Sequence, residues 1–374
     1  MVALALERRN LRDFDWLLAL LAITIVCFGT IQIRNAQPTE GYWIKQLVGL
    51  AVALVAMLVV ASTDYRKLIA IAPAFYAFGL LLLVAVLIPH VGAKINGHRA
   101  WIKVPGLGHF QPSEFVKVTT AMMLARYFGR HRQTQLKLKE ALMGGVILGL
   151  PIALILLEPD VGSVITYFPI LLVVLFLSAM RMRLVVAALL LSVVALPAAY
   201  WVGVKTHLVK NYQQERINVI LDPENADKRK YGYHTWQSIL TVGEGGLFGA
   251  DASAEHSQSS LKYLPEPHTD FIFAVTAENS GFVGCLLLLF AYAVLLSRMI
   301  VGARRASDRT GMLVIMAIVG GLGFQIFMNI GMALGLLPVV GVPLPLMSAG
   351  LASLIATFIA IGFAISVQLR RFVN

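Results

Sequence analysis

Residues 42–61 read YWIKQLVGLAVALVAMLVVA, twenty positions with Lys45 as their one charge. A helix of that length rises about 30 Å, the thickness of a bilayer's hydrocarbon core. Lipid accepts a spanning chain only where the backbone satisfies its own polar groups, as a helix does. Runs of this kind recur from one end of the chain to the other. Of 374 residues, 58% are hydrophobic and 14% charged, and the mean hydropathy is +0.77; soluble domains average about 45–50% apolar and about 25% charged. The pattern excludes a soluble globule and predicts an all-α polytopic membrane protein. Ten spans are expected, near 16–33, 42–61, 69–89, 112–128, 141–157, 161–179, 184–204, 270–297, 311–336 and 348–369. They form one membrane domain over residues 1–374, with a long extracytoplasmic loop, 205–269, between spans seven and eight. The first span follows Arg8, Arg9 and Arg12 and reads as a retained signal anchor, with no removable signal peptide.

The net charge of +11 would suggest nucleic acid in a soluble chain, but here Lys and Arg report topology. Eighteen of them fall in the terminal segments and short loops of one side, among them Arg66, Lys67, Arg126, Arg130, Arg298, Arg304, Arg305, Arg370 and Arg371. Four, Arg34, Lys94, Arg99 and Lys103, fall in the short loops opposite. The positive-inside rule puts both termini in the cytoplasm and accounts for the basic residues without a nucleic-acid partner. Cys27 and Cys285 lie inside apolar runs, so disulfide and thiol-redox scaffolds fall away. Seven of the eight histidines gather on the outer side without the HxxxH spacing of a helical zinc site. The glycine-rich stretch Gly243–Gly249 lacks the lysine and hydroxyl of a phosphate loop and reads as a tight or re-entrant turn.

An ionisable group at the centre of a transmembrane helix costs about 2.5–3.5 kcal/mol on insertion scales, so each needs a partner or a task. Glu114 and Lys117 stand three apart in span four, on one helical face. They are either a self-neutralising pair or part of a site. Asp270 opens span eight in Pro265-Glu266-Pro267-His268-Thr269-Asp270, where a carboxylate either answers the helix dipole or accepts a proton at the membrane surface. Glu278, about 12 Å deeper, reads as a buried structural acid. Glu114, Lys117, Asp270 and the Glu158-Pro159-Asp160 junction all lie toward the outer ends of their spans. Carboxylates beside cations there suit an anionic headgroup and a reacting hydroxyl.

These stretches resemble the SEDS family (shape, elongation, division and sporulation), and within it the RodA branch. The likeness is carried by Asn96–Ile102, Phe110–Lys117, Leu221-Asp222-Pro223 with Gly232-Tyr233-His234, Leu264–Val275, and Asn329–Met332 with Val342–Leu346, the last two favouring RodA over its division paralogue FtsW. The resemblance implies a peptidoglycan glycosyltransferase that polymerises lipid II for cell elongation and rod shape, beside a class B penicillin-binding protein as transpeptidase. It also implies that Asp270 matches the essential aspartate, and Glu114 and Lys117 the fourth-span pair. Asp270 is then the expected catalytic base. Lys117, Arg99 and Arg216 are expected to steady the substrate diphosphate, with Glu114 holding Lys117 and a divalent cation, magnesium or manganese, sharing the task. Two departures stand out. Ser348–Ser353 replaces the family's Ser-Tyr-Gly-Gly-Ser, and Glu158 stands where glutamine is common. The rival expectations are a lipid II flippase or transporter, and a non-catalytic scaffold of the cell-wall synthesis complex. A transporter favours inverted repeats and polar sites at mid-membrane in both halves, neither of which the sequence displays.

Overall fold

The computed structural model describes residues 13–95, 98–104, 108–130, 137–158, 160–178, 231–250, 264 and 266–371. Its helices are α1 (Trp16–Ala36), α2 (Tyr42–Ser62), α3 (Tyr65–Ala70), α4 (Ala72–Leu87), α5 (Pro112–Arg130), α6 (Leu138–Leu157), α7 (Val161–Leu177), α8 (Tyr231–Glu244), α9 (Ile272–Arg304), α10 (Arg309–Ala333) and α11 (Leu351–Leu369). A helix coincides with every expected span except the seventh, 184–204, which lies outside the described residues. Six of them, α1, α2, α6, α9, α10 and α11, are long and apolar enough to cross a membrane. α5 has the length but carries Glu114, Lys117, Arg126 and Arg130.

Helix starts follow local chemistry. Asp15, Asp64, Asp160 and Asp308 cap α1, α3, α7 and α10, each accepting a backbone N–H of the first turn, which otherwise has no intrahelical partner. α11 is the centre of the bundle. It packs chiefly against α2, and also against α5, α9 and α10, and small residues such as Ala352, Ser353, Ala356, Ala360 and Ala364 line its buried length. Small side chains let backbones approach, which is how membrane helices associate when lipid is as apolar as leucine. Leu81, Leu157, Leu287 and Phe290 are exposed on the outside, as a surface bathed in hydrocarbon requires.

Basic residues fasten one end of the bundle. Arg370 donates to Ala61 O and Ser62 O at the end of α2, Arg126 donates to Ile69 O and Ala70 O, and Arg66 pairs with Asp308 at 3.4 Å. At the opposite end the chain forms a small antiparallel sheet that the sequence reading had left as a loop. It comprises β1 (Gly92–Ile95), β2 (His98–Val104) and β3 (Gly108–Phe110), in that order. The sheet lies over the ends of α4, α5 and α11.

The stretch read as one long loop contains α8 and a glycine-rich turn that enters the bundle. α9 breaks at Gly281, with φ 63° and ψ −168°, about 14 Å along from Ile272. There Phe282 N donates to Gly246 O at 2.9 Å, Val283 N to Leu247 O at 3.1 Å, and Ala250 N to Glu278 O at 2.7 Å. The turn supplies the partners that the helix gives up, so the irregular backbone stays satisfied in a dry setting. Alanine at position 281 would place Cβ 2.3 Å from Gly249 N and 2.5 Å from Phe248 N, in a dihedral region open essentially to glycine alone and costing about 1–3 kcal/mol. Gly281→Ala is therefore expected to lower the thermal unfolding midpoint of the detergent-solubilised protein by several degrees. An unchanged midpoint would contradict the pairing.

Candidate active site

The stretch 268–270, which Asp270 ends, lies in a turn, 267–271, that leads into α9. The carbonyls of this stretch precede the helical ladder and need outside donors. Each of the three has one. His268 O accepts from Ala349 N at 2.8 Å, Thr269 O from Ser348 Oγ at 2.6 Å, and Asp270 O from Asn329 Nδ2 at 2.8 Å. Asn329, fully buried on α10, also donates to Val342 O at 2.8 Å. Ser348 Oγ in turn accepts from Leu344 N at 2.8 Å, and Gln46 Nε2 donates to Ser348 O at 3.2 Å. The turn carrying the aspartate is thus held by its backbone to two elements, the loop before α11 and α10, while the Asp270 side chain stays half-exposed.

Space beside that carboxylate comes from glycines. Gly341, at φ 75°, would carry a Cβ 3.4 Å from Asp270 Oδ2, and a Cβ on Gly162 would strike Val340 O at 2.2 Å. The 340s loop consequently rests directly on the start of α7, bringing Asp270 into the same neighbourhood as Asp160. Asp160 is already engaged: Oδ1 accepts from Ser163 N at 2.9 Å, and Oδ2 from Ser163 Oγ at 2.7 Å and Gln111 Nε2 at 2.9 Å. Ser163 Oγ lies 3.3 Å from Ser113 Oγ, and Tyr167 donates its hydroxyl to Ser113 O at 2.8 Å. One residue on, Glu114 Oε1 accepts from Lys117 Nζ at 2.7 Å, both side chains almost wholly buried. The pair lines a cavity of about 40 Å³ with Gln325, Thr357 and Gly321, roomy enough for a few waters. A polar network thus ties the starts of α5 and α7 together, with the buried ion pair one residue further along α5.

The expected residues do not all converge. Arg99 sits on β2, with Nη1 3.5 Å from Leu87 O at the end of α4, and among the described contacts it touches neither Asp270 nor Lys117. Arg216 lies outside the described residues. Glu158 is fully buried, and neither carboxyl oxygen has a hydrogen-bond partner among the described residues. No group of three or more His, Cys, Asp or Glu is arranged to hold a metal ion among the described residues, so the expected divalent cation has no ready-made ligand set here. Sequence reasoning missed Asn329 and Ser348 as supports. Their signal was available: an amide deep in an apolar helix, and a hydroxyl just before the last span, each need a partner when buried.

A family model described as "Cell cycle protein", covering FtsW, RodA and SpoVE, matches residues 12–371. The chain belongs to this family. It is 36% identical over 360 residues to the peptidoglycan glycosyltransferase MrdB of Escherichia coli strain K12, spanning 96% of this chain and 94% of that one. It is 31% identical over 375 residues to the probable peptidoglycan glycosyltransferase FtsW of Geobacter sp. strain M18, spanning 97% and 98%. Among solved structures it resembles a chain from "Structural coordination of polymerization and crosslinking by a peptidoglycan synthase complex", with a TM-score of 0.83 at 31% identity over 96% of this chain and 99% of the other. It also resembles the rod shape determining protein RodA of Thermus thermophilus, with a TM-score of 0.71 at 29% identity over 96% and 98%. The family fold is thus a multi-pass membrane fold.

Two expectations follow from this geometry. Ser348→Ala leaves Leu344 N and Thr269 O without their partner, which costs about 1–3 kcal/mol for buried groups; the variant should unfold at lower temperature in detergent than the parent chain. His268, stacked on Tyr42 with ring centroids 4.0 Å apart, has its pKa lowered from the ordinary 6.5 by burial, against the upward pull of Glu266 and Glu40. The folded state binds this proton less readily than the unfolded chain. Its contribution is complete above the unfolded value and is lost as pH falls through the lower folded value. Acidification below about pH 6 should depress the thermal midpoint more in the parent than in His268→Gln, and equal depression would assign the acid sensitivity elsewhere.

Proposed function

We propose that this member of the family is a peptidoglycan glycosyltransferase that polymerises lipid II into glycan strands for elongation and rod shape. Its place is the bacterial inner membrane, with both termini cytoplasmic and the Asp270 end facing outward. The observation that carries the mechanism is the half-exposed Asp270 carboxylate, on a turn whose backbone carbonyls are held by Ala349, Ser348 and Asn329. The names of the relatives and the asymmetry of Lys and Arg support the same reading.

In this reading Asp270 accepts the proton of the acceptor GlcNAc 4-hydroxyl. The hydroxyl oxygen bonds to the anomeric carbon of the donor MurNAc, the bond from that carbon to the diphosphate oxygen breaks, and undecaprenyl diphosphate leaves with inversion. The proton on Asp270 then passes to water. A fixed carboxylate serves such a base because general catalysis demands hydrogen-bond reach in the reacting geometry. Positive charge prearranged near the leaving diphosphate stabilises what develops there without reorganisation. Lys117, oriented by Glu114, supplies it in this reading; Arg99 and Arg216 are assigned to the lipid-linked diphosphate as it approaches. No step is routed through a metal ion. A class B penicillin-binding protein is the proposed partner, crosslinking the strands as they emerge.

The test uses purified full chain with its transpeptidase partner and labelled lipid II, and reads polymer on a gel. Parent protein should make polymer, and Asp270→Ala should make at least ~100-fold less, the lower range for losing a general base, while keeping its thermal midpoint. Polymer at the parental rate would defeat the base assignment. Headgroup crossing in liposomes without polymer would favour a flippase, and neither activity a scaffold.

A further inference from the structure

At the basic end of the bundle a cavity of about 290 Å³ opens between the start of α1 and the ends of α9 and α11. It plays no part in the chemistry proposed above. Among the described residues its charged lining is Asp13 and Asp15 against Arg298, Arg305 and Arg371, an excess of one positive charge. Asp15 is occupied on both oxygens: Oδ1 caps Leu18 N at 3.1 Å, and Oδ2 takes Arg298 Nε at 3.2 Å and Nη2 at 3.0 Å. That grip orients the guanidinium at the rim. Arg371 reaches Asp13 Oδ1 at 3.2 Å, and Arg305 is exposed.

Depth identifies the surroundings. Trp16, on the same rim, is 55% exposed at the first position of a spanning helix, where tryptophan marks the headgroup layer. The cavity therefore has hydrocarbon on its α1 side and water beyond Arg305. Basic pockets between helix ends at this depth are suited to lipid headgroups, with each cation near the surface favouring an anionic lipid.

We propose that this cavity binds the headgroup of an anionic phospholipid, its monoanionic phosphodiester answering the single surplus charge and its acyl chains lying along α1 beside Trp16. The proposal is independent of the glycosyltransferase reading and holds in whichever leaflet this end resides. Ion pairs fix Arg298 and Arg371 before the lipid arrives, so for these two little side-chain order remains to be lost on binding, and the exposed Arg305 supplies the surplus charge.

Native mass spectrometry of the full chain in detergent tests this, with phosphatidylglycerol, phosphatidylcholine and inorganic phosphate as separate probes. Phosphatidylglycerol should be retained in preference to phosphatidylcholine. Arg305→Ala should weaken that retention about fivefold, the effect of one surface cation, with an unchanged thermal midpoint in the absence of lipid to show that the fold is intact. Equal retention of the two lipids, or undiminished retention by an intact Arg305→Ala, would overturn the proposal. Displacement of phosphatidylglycerol by inorganic phosphate alone would assign the cavity to a free anion and overturn it equally.

Discussion

Three consecutive carbonyls, those of His268, Thr269 and Asp270, set the terms for the rest of the molecule. They fall where the chain is partly buried and the ladder of α9 has not begun, so the helix does not satisfy them. Donors arrive from Ala349, Ser348 and Asn329, which requires the last loop and α10 to close on one turn. That closure explains why Leu346 is tolerated at φ 68°, a conformation uncommon for residues other than glycine: the loop is over-determined by Ser348, Gln46 and Tyr292, whose hydroxyl donates to Pro345 O. A candidate base whose backbone is bound this way can keep its carboxylate accessible without letting it wander.

The sequence disclosed most of the fold because membrane length is a coarse and unforgiving ruler. Twenty apolar residues have few alternatives in lipid, so the stretches around Tyr42, Ala141 and Gly311 read correctly as helices with only end residues misjudged. Span eight was expected to begin at Asp270, whereas the helix begins at Ile272. The difference matters, since it moves the carboxylate from a helical turn to the turn before it. The sheet over residues 92–110 was illegible for the opposite reason. Its strands are short, mixed in polarity and stabilised by pairing with one another, a non-local property that no window of hydropathy reports.

The site was legible in its charged members and opaque in its supports. Glu114, Lys117 and Asp270 announced themselves because charge in hydrocarbon demands explanation. Asn329 and Ser348 are neutral, inexpensive to place in a span, and acquire their meaning only once their partners, distant in sequence, are known. Gly341 and Gly162 are equally silent, since what they contribute is the absence of a side chain where two backbones meet. Arg99 was grouped with the site on the strength of its side of the membrane, which fixes depth but not direction. In the sheet its guanidinium lies 3.5 Å from Leu87 O.

The two ends of the bundle use charge in contrasting ways, and the contrast accounts for the surplus of basic residues better than any polyanionic partner in solution. At one end arginines from α5 and α11 and from the α3 start terminate on backbone carbonyls or on capping aspartates, completing hydrogen-bond sets that helix ends leave open. Such contacts are short-range, lie at the boundary with water and tie neighbouring helices together without a net field in the core. At the other end Lys117 and Glu114 form a buried pair and the partly buried Asp160 is held by Ser163 and Gln111, while Glu158 is buried with neither oxygen bonded among the described residues. Removing one member of a buried pair leaves an uncompensated charge costing about 3–5 kcal/mol, so these groups are kept in place by the fold even before any ligand arrives. Rigidity at the basic end and preorganised polarity at the sheet-bearing end thus follow one tendency, that polar atoms in lipid are partnered by the protein itself, with Glu158 the exception among the described residues.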